Sequence, residues 1–271
     1  MATSSTHGQL GHRTIPLESI LAARQRVYQA AVRTPLVRLY YDDAPSEIYL
    51  KLESLQPIGS FKIRGAYNAV SLLKPEDRAR GVWTISAGNA AQGVALAAKL
   101  AGVRCEVLVM DTAPVAKLDA IRRLGASIRQ APMDECWTAV IERRHPAGVF
   151  VHPFDDDDFI AGNATCGLEI LEDLPDVTAI VAGFGGGGLS CGIASATAAL
   201  KPDVKVLPPN RRRLRLCTCR LSKAPRRSFP AGRPALSTVV AARPSCPVCG
   251  RSPAACWQAR SLPRSKKLAG P

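Results

Sequence analysis

The stretch of the 271-residue sequence where chemistry first becomes readable is Gly59-Ser60-Phe61-Lys62-Ile63-Arg64-Gly65. A lysine attacks a carbonyl carbon only when its amine is neutral or consumed in an imine, so it needs a shielded setting. Most lysines are instead solvated surface charges, and Lys62 alone would be read as one. Two further stretches argue otherwise. Gly185-Gly186-Gly187-Gly188, followed by Leu189, stands between an apolar strand-like run and a helix-like run. Glycines let backbone N–H groups approach an anion closely, and a helix N-terminus adds a favourable dipole, so a phosphate is the natural guest. Ser86-Ala87-Gly88-Asn89, followed by Ala90, is a third turn, offering backbone amides to a carboxylate and one side-chain amide. Taken alone, that turn is an ordinary helix cap. Together, a lysine for an imine, glycines for a phosphate, an asparagine for a ring hydroxyl and Phe61 as a flat apolar surface describe a pocket for a phosphorylated aldehyde cofactor.

The context of the glycine run decides among its other readings. A flexible linker is disfavoured, because linkers seldom join an apolar strand to a helix without polar residues nearby. Gly183-Phe184-Gly185-Gly186-Gly187-Gly188 also satisfies the dinucleotide fingerprint, which wants an acidic residue closing the following strand; here Asp203 precedes that strand. A P-loop is excluded, since no Gly-Lys-Ser/Thr follows the glycines.

These turns need strands and helices to hold them. Apolar spacing predicts a helix over 14–33, stopped by Pro35, and alternation predicts a strand over 47–52. The lysine turn then opens a helix to about Leu73. Strands at 82–85, 104–110, 127–129, 148–151, 179–182 and from 204 alternate with helices at 91–101, 114–124, 134–144, 163–171 and 189–200. This alternation argues for an α/β protein with mainly parallel sheet, and in such sheets ligands bind at the carboxyl ends of strands. All three turns fall there.

The formal net charge of +14 is not spread along the chain. All 22 acidic residues precede residue 207, whereas fifteen of the 36 Lys and Arg follow it, together with ten prolines. The first 206 residues are near neutral. The segment 207–271 cannot bury enough apolar surface to offset its ordering entropy and is expected to be disordered. Its Arg211-Arg212-Arg213 and Lys266-Lys267 lack the interleaved aromatics of a nucleic-acid binder, so no nucleic-acid partner is expected. Cys217-Thr218-Cys219 and Cys246-Pro247-Val248-Cys249 match zinc-ligand spacing poorly, and no metal is assigned. Cys105, Cys136, Cys166 and Cys191 read as buried free thiols of a reduced compartment. No run of about 18 apolar residues marks a membrane span, and Met1–Gly11 carries no targeting pattern, so a cytoplasmic location is expected.

Gly59 to Ala66, Ser86 to Gly93, His152-Pro153-Phe154-Asp155-Asp156 and Gly185 to Leu189 together resemble the threonine/serine dehydratase and serine racemase family, pyridoxal-phosphate enzymes of fold type II. The resemblance covers roughly residues 15–206. It implies two parallel-sheet α/β domains: a large one (14–53 and 152–206, incomplete here), a small one (54–151), a flexible N-terminus (1–13) and the basic tail. It implies pyridoxal 5′-phosphate as cofactor, with Lys62 as the lysine that carries it and as the base. Phe61 would pack on the ring, Asn89 would meet the ring oxygen, and Gly185, Gly186, Gly187, Gly188 and Leu189 would hold the phosphate. Ser86, Ala87, Gly88, Asn89 and Ala90 would hold the substrate carboxylate. The implied activity is β-elimination of L-threonine or L-serine to a 2-oxo acid and ammonia, with serine racemization or a non-catalytic remnant as alternatives, and a homodimer as the assembly. The chain departs from the family's pattern at Ala90, at Gly162-Asn163-Ala164 and throughout the segment after Val206. The segment after Val206 is where relatives place further strands, the group facing the pyridine nitrogen and, in some members, a divalent-cation site.

Overall fold

The computed structural model describes residues 14–41, 44, 46–143, 148–207 and 239–244. In chain order its elements are α1 (Leu17–Val27), β1 (Leu36–Leu39), β2 (Ser46–Lys51), α2 (Lys62–Ser71), α3 (Pro75–Arg80), β3 (Val82–Ile85), α4 (Asn89–Ala101), β4 (Cys105–Met110) and α5 (Val115–Arg123). There follow β5 (Ser127–Ala131), α6 (Met133–Glu142), β6 (Val149–Phe150), α7 (Asp157–Asp173), β7 (Ala179–Val181), α8 (Gly188–Leu200), β8 (Lys205–Leu207) and β9 (Val239–Pro244). The α/β alternation expected from the sequence is present. Among the described residues no helix is long and apolar enough to cross a membrane.

Two sheets carry the fold. The first is wholly parallel, in the order β5-β4-β3-β6. Its central strands are apolar on both faces because helices cover both; Val82, Trp83, Val107 and Leu108 are essentially inaccessible. Alanine-rich α4 lies against this core and ends at Gly102 in the left-handed region (φ 66°), where a side chain would be strained.

The second sheet, in the order β1-β2-β9-β7-β8, differs from the expectation of a parallel sheet. Only β7 and β8 run parallel; β1 with β2, β2 with β9 and β7 with β9 are antiparallel. Its centre is a strand from the segment expected to be disordered. Val239–Pro244 pairs along the whole of β2 on one side and with β7 on the other, and Val239 and Ala241 are fully buried. For those six residues, and for Leu207 at the end of β8, the expectation is corrected. A gap between two apolar strands offers unpaired N–H and C=O groups on both sides, and that demand outweighs a weak local pattern. The rest of 207–271, with its cysteine pairs and basic runs, and residues 1–13 lie outside the described residues.

Helix α7 is the internal post between α1, α2 and α8, buried without interruption from Phe159 to Leu171. It begins at Asp157, not near Asn163. The acidic run read as a loop is its first turn: the Asp156 side chain caps it by accepting from Phe159 N (2.8 Å), and Asp157 and Asp158 sit at the positive end of the helix dipole. Glycines set how closely it packs. A Cβ on Gly65 of α2 would stand 2.5 Å from the Phe159 carbonyl oxygen, and one on Gly192 of α8 would stand 2.8 Å from Ala164 N and Ile160 O. Cys105, Cys136, Cys166 and Cys191 are all buried free thiols, as expected.

Candidate active site

Lys62 is the first residue of α2, and its Nζ donates to the backbone carbonyl of Pro153. The amine also lies 5.4 Å from the Phe61 ring centre and 5.2 Å from that of Phe159. Among the described residues no carboxylate pairs with it. With one carbonyl and two ring faces to compensate the charge, burial pushes the Lys62 pKa down from 10.5 to about 8.

The carbonyl that receives Lys62 leads directly to the glycine loop. Pro153 is followed by Phe154, whose ring fills the place a side chain on Gly186 would take and whose backbone lies 3.0 Å from a Cβ built on Gly188. Lysine and loop are thus held on two consecutive residues, whose Cα atoms are about 3.8 Å apart. The turn itself is fixed by buried His152, whose Nδ1 accepts from Phe154 N (3.3 Å) and Asp155 N (2.9 Å). Gly187 takes the left-handed conformation (φ 91°) as N-cap of α8, and no side chain caps the helix. The first α8 amide bonded back is Cys191 N, to Gly187 O (2.8 Å), so the N–H groups of Gly188, Leu189 and Ser190 stand at the helix end without intrahelical acceptors. The Leu189 side chain packs in the same core cluster as Phe61. A Cβ on Gly185 would meet nothing within 4 Å.

The third turn lies against the first. Ser86 Oγ accepts from Gly88 N (3.1 Å), which folds the turn on itself, and Gly88 is the N-cap of α4 with no side chain capping it. The ordinary-cap reading of Ser86 or Asn89 is therefore not what the structure contains. One turn further along α4, a Cβ on Gly93 would stand 3.1 Å from the Lys62 carbonyl oxygen, so α4 and α2 begin side by side. Ser86, Ala87, Gly88 and Asn89 are half-buried and Ala90 is buried. Thus α2 begins at Lys62, α4 packs on the Lys62 backbone through Gly93, and α8 begins against Phe154, next to the carbonyl that receives the amine.

What the sequence did not disclose is the foundation beneath the lysine. Arg64, two residues on, is fully buried and bonds two carboxylates: Nε and Nη2 donate to Glu53 (both 2.8 Å), and Nη1 and Nη2 donate to Glu169 (2.6 and 2.9 Å). Lys51 Nζ completes the group at 2.7 Å from Glu169 and 2.6 Å from the Thr34 carbonyl. Burial works against the Arg64 charge, yet its bonds to Glu53 and Glu169 outweigh that and hold its pKa well above the usual value. Burial likewise works against the Glu169 carboxylate, but the Arg64 bond and the nearby Lys51 charge leave its pKa below the ordinary range. Lys51 also reaches Asp173 at 3.4 Å, and these pairs tie β2, the 3₁₀ turn Glu53–Leu55, α2 and α7 together. The available signal was an arginine between Ile63 and Ala66 on a helix face otherwise apolar, and nothing local identified its partners. Phe159 and the Pro153 carbonyl were likewise not singled out.

Residues 27–231 match the family described as pyridoxal-phosphate dependent enzyme. The sequence is 45% identical over 198 residues to an L-threonine ammonia-lyase of Thermotoga maritima, covering 71% of this chain and 49% of that protein. Among solved structures, serine racemase from Dictyostelium discoideum superposes with a TM-score of 0.67 at 35% identity, over 72% of this chain and 66% of that one. The processed form of threonine deaminase isoform 2 from Solanum lycopersicum gives 0.67 at 32% identity, over 77% and 64%. The chain belongs to the pyridoxal-phosphate-dependent enzyme family, of fold type II. It spans about half the length of the Thermotoga relative and 60% of a putative threonine dehydratase of Sinorhizobium fredii.

Proposed function

We propose that this chain is a pyridoxal-phosphate-dependent ammonia-lyase that converts L-threonine, L-serine or both to a 2-oxo acid and ammonia. The observation that carries the reading is the meeting of Lys62, its pKa lowered to about 8, with the uncapped N-termini of α8 and α4. Relatives named for threonine support the substrate class.

The residues present fit the cofactor: the space over Gly185 is open, the first N–H groups of α8 have no intrahelical acceptor among the described residues, and burial lowers the pKa of the lysine. When bound, pyridoxal phosphate supplies the electron sink that makes the substrate's α-proton acidic. Lys62 would carry it, flanked by Phe61, with Gly185, Gly186, Gly187, Gly188 and Leu189 holding the phosphate through backbone N–H groups. Asn89 would orient the ring by its carboxamide, and the turn Ser86-Ala87-Gly88-Asn89-Ala90 would bind the substrate carboxylate at the α4 N-terminus. Lys62 Nζ, when freed by substrate, would take the α-proton; a pKa near 8 suits a base that must accept and release protons near neutrality. Serine racemization is the second reading. It is favoured by the Dictyostelium likeness and shares the same proton transfer.

The two sheets support a division into a small domain (54–151) around the parallel sheet and a large one around the mixed sheet, with the site at their meeting. A homodimer and a cytoplasmic location complete the proposal, the latter supported by four buried free thiols. The test is purified full-length chain with added pyridoxal phosphate, followed by visible absorbance and by release of 2-oxo acid from L-threonine and L-serine, with the chirality of residual serine measured. Both absorbance and product are expected, and both should vanish in Lys62→Ala. Absorbance without product or racemization would sink the catalytic reading, and absence of a Lys62-dependent band would sink the site itself.

A further inference from the structure

The two faces of the mixed sheet are not alike. In register across its strands, Arg38, Tyr49, Ala241, Ile180 and Val206 stand side by side. That row turns inward: Ala241 and Ile180 are inaccessible and share a core cluster with Phe61 and Leu189. The adjoining row crosses all five strands as Val37, Leu50, Val240, Val181 and Leu207. Successive strand residues point to opposite faces, so this second row lies on the far side of the sheet from the lysine turn. All five of its side chains are aliphatic, and all five keep accessible surface although strands flank three of them on both sides. None belongs to a core cluster of the described residues. Leu39, Tyr40 and Tyr41, exposed by 44%, 79% and 63%, continue the apolar surface at its β1 margin. Among the described side chains of this face only Lys205, at the β8 edge, is charged. An uncovered apolar face of this kind marks a contact surface.

Charge decides what can cover it. Residues 208–238 carry nine Lys and Arg and residues 245–271 carry five, with no acidic residue among them. Laid on this face, those cations would lose water and find no anion, and a charged partner would meet the same penalty. A second copy of the face has no such cost. We propose that two copies of this chain pack these faces together across a two-fold axis, as the aligned sheets of a sandwich do. Strand spacing and rise give the face a planar footprint of roughly 24 by 14 Å, or about 350 Å². Two such faces cover about 700 Å², short of the about 1,200 Å² of stable complexes, so the dimer forms reversibly. The inference is independent of the cofactor reading, and it gives the homodimer a surface that leaves both lysine turns uncovered.

Sedimentation velocity of the full chain over a range of about 1–100 µM tests it. Wild type is expected to exchange between monomer and dimer with a Kd on the order of 10 µM. Raised salt should not weaken the dimer, because apolar contact is not screened. Val37→Glu on β1 and Leu207→Glu on β8 lie at opposite edges of the face. Each should raise the Kd about ten-fold or more, since the carboxylate would be buried against the partner's aliphatic row. A wild type that stays monomeric throughout overturns the proposal, and binding to phosphatidylcholine vesicles then tells a lipid surface from cover by the chain's own remainder. A dimer that both variants leave intact overturns it as well. Weakening in one variant alone confines the contact to a single edge strand and equally rules out face-to-face packing. Urea midpoints establish that the variants are folded; should either not fold, Val37→Ser and Leu207→Ser carry the same comparison.

Discussion

Burial takes the Lys62 pKa from 10.5 in the unfolded chain to about 8 in the fold, and the direction of that change fixes a pH dependence. Below about 8 the amine is charged in both states and the cost of burying it is fully present. Between the two values the unfolded chain holds the proton more than the folded one, so stability rises with pH across that window. Relative to Lys62→Met, cofactor-free wild type should gain on the order of 3 kcal/mol between pH about 7 and 10.5, read from urea midpoints. A difference that stays flat with pH would mean that the amine is not desolvated. Gly185 gives a second residue-scale test, because space for a methyl group is open there and no positive φ is required. Gly185→Ala is expected to leave the unfolding free energy of the cofactor-free protein, read from urea curves, within about 0.5 kcal/mol of wild type while weakening pyridoxal-phosphate binding. Lys62, the glycine run and the Ser86–Asn89 turn were legible because each is a local pattern with a chemical purpose. Phe159 and Arg64 were not, since their meaning lies in neighbours distant in the chain.

At the scale of elements, α2, α7 and α8 approach closely because glycine stands where they touch, and a charged cluster is locked between the first two. A Cβ on Gly162 would overlap the Arg64 carbonyl, 2.8 Å from its carbon and from Gly65 Cα. Gly162→Ala is therefore expected to cost about 1–3 kcal/mol, checked by urea unfolding, because backbone cannot swing aside as a side chain can. Arg64→Leu should cost roughly 3–5 kcal/mol, taking from buried Glu53 its ion pair and leaving Glu169 with Lys51 as its cation. That loss should shrink as pH falls and the Glu169 carboxylate, which Arg64 holds below its ordinary range, protonates. A constant loss across the acid range would assign it to lost packing. Sequence periodicity found these helices well, since apolar spacing reports which face is inward. It missed the start of α7, where acidic residues serve as cap and first turn, and it missed short α3 and β1, whose residues are largely exposed.

For the molecule as a whole, the mixed sheet is completed only by β9. Without it, β2 and β7 become edges with unpaired backbone groups, a template for pairing with another chain. A chain ending at residue 207 is expected to unfold at lower urea than the full chain and to self-associate in sedimentation velocity. A truncated protein that stays monomeric with an unchanged midpoint would show that β9 contributes nothing. In the parallel sheet β3, β4 and β5 were readable because each meets the next strand in sequence, and β6, which returns to β3 from farther along the chain, was readable from its own apolar run. The mixed sheet was not, because Val239-Val240-Ala241-Ala242 becomes a strand only in the gap that β2 and β7 leave.

The pairing of Ser46 with Pro244 also sets a timetable. On a ribosome adding about 5–20 residues per second, β2 waits on the order of 10–40 s for the strand that will lie beside it. The parallel sheet, complete by Phe150, can form during that interval, whereas the edges of β2 and β7 that β9 covers stay unpaired until it emerges. The level of this protein in a cell should therefore respond more to the speed of its translation than to substitutions in the parallel sheet.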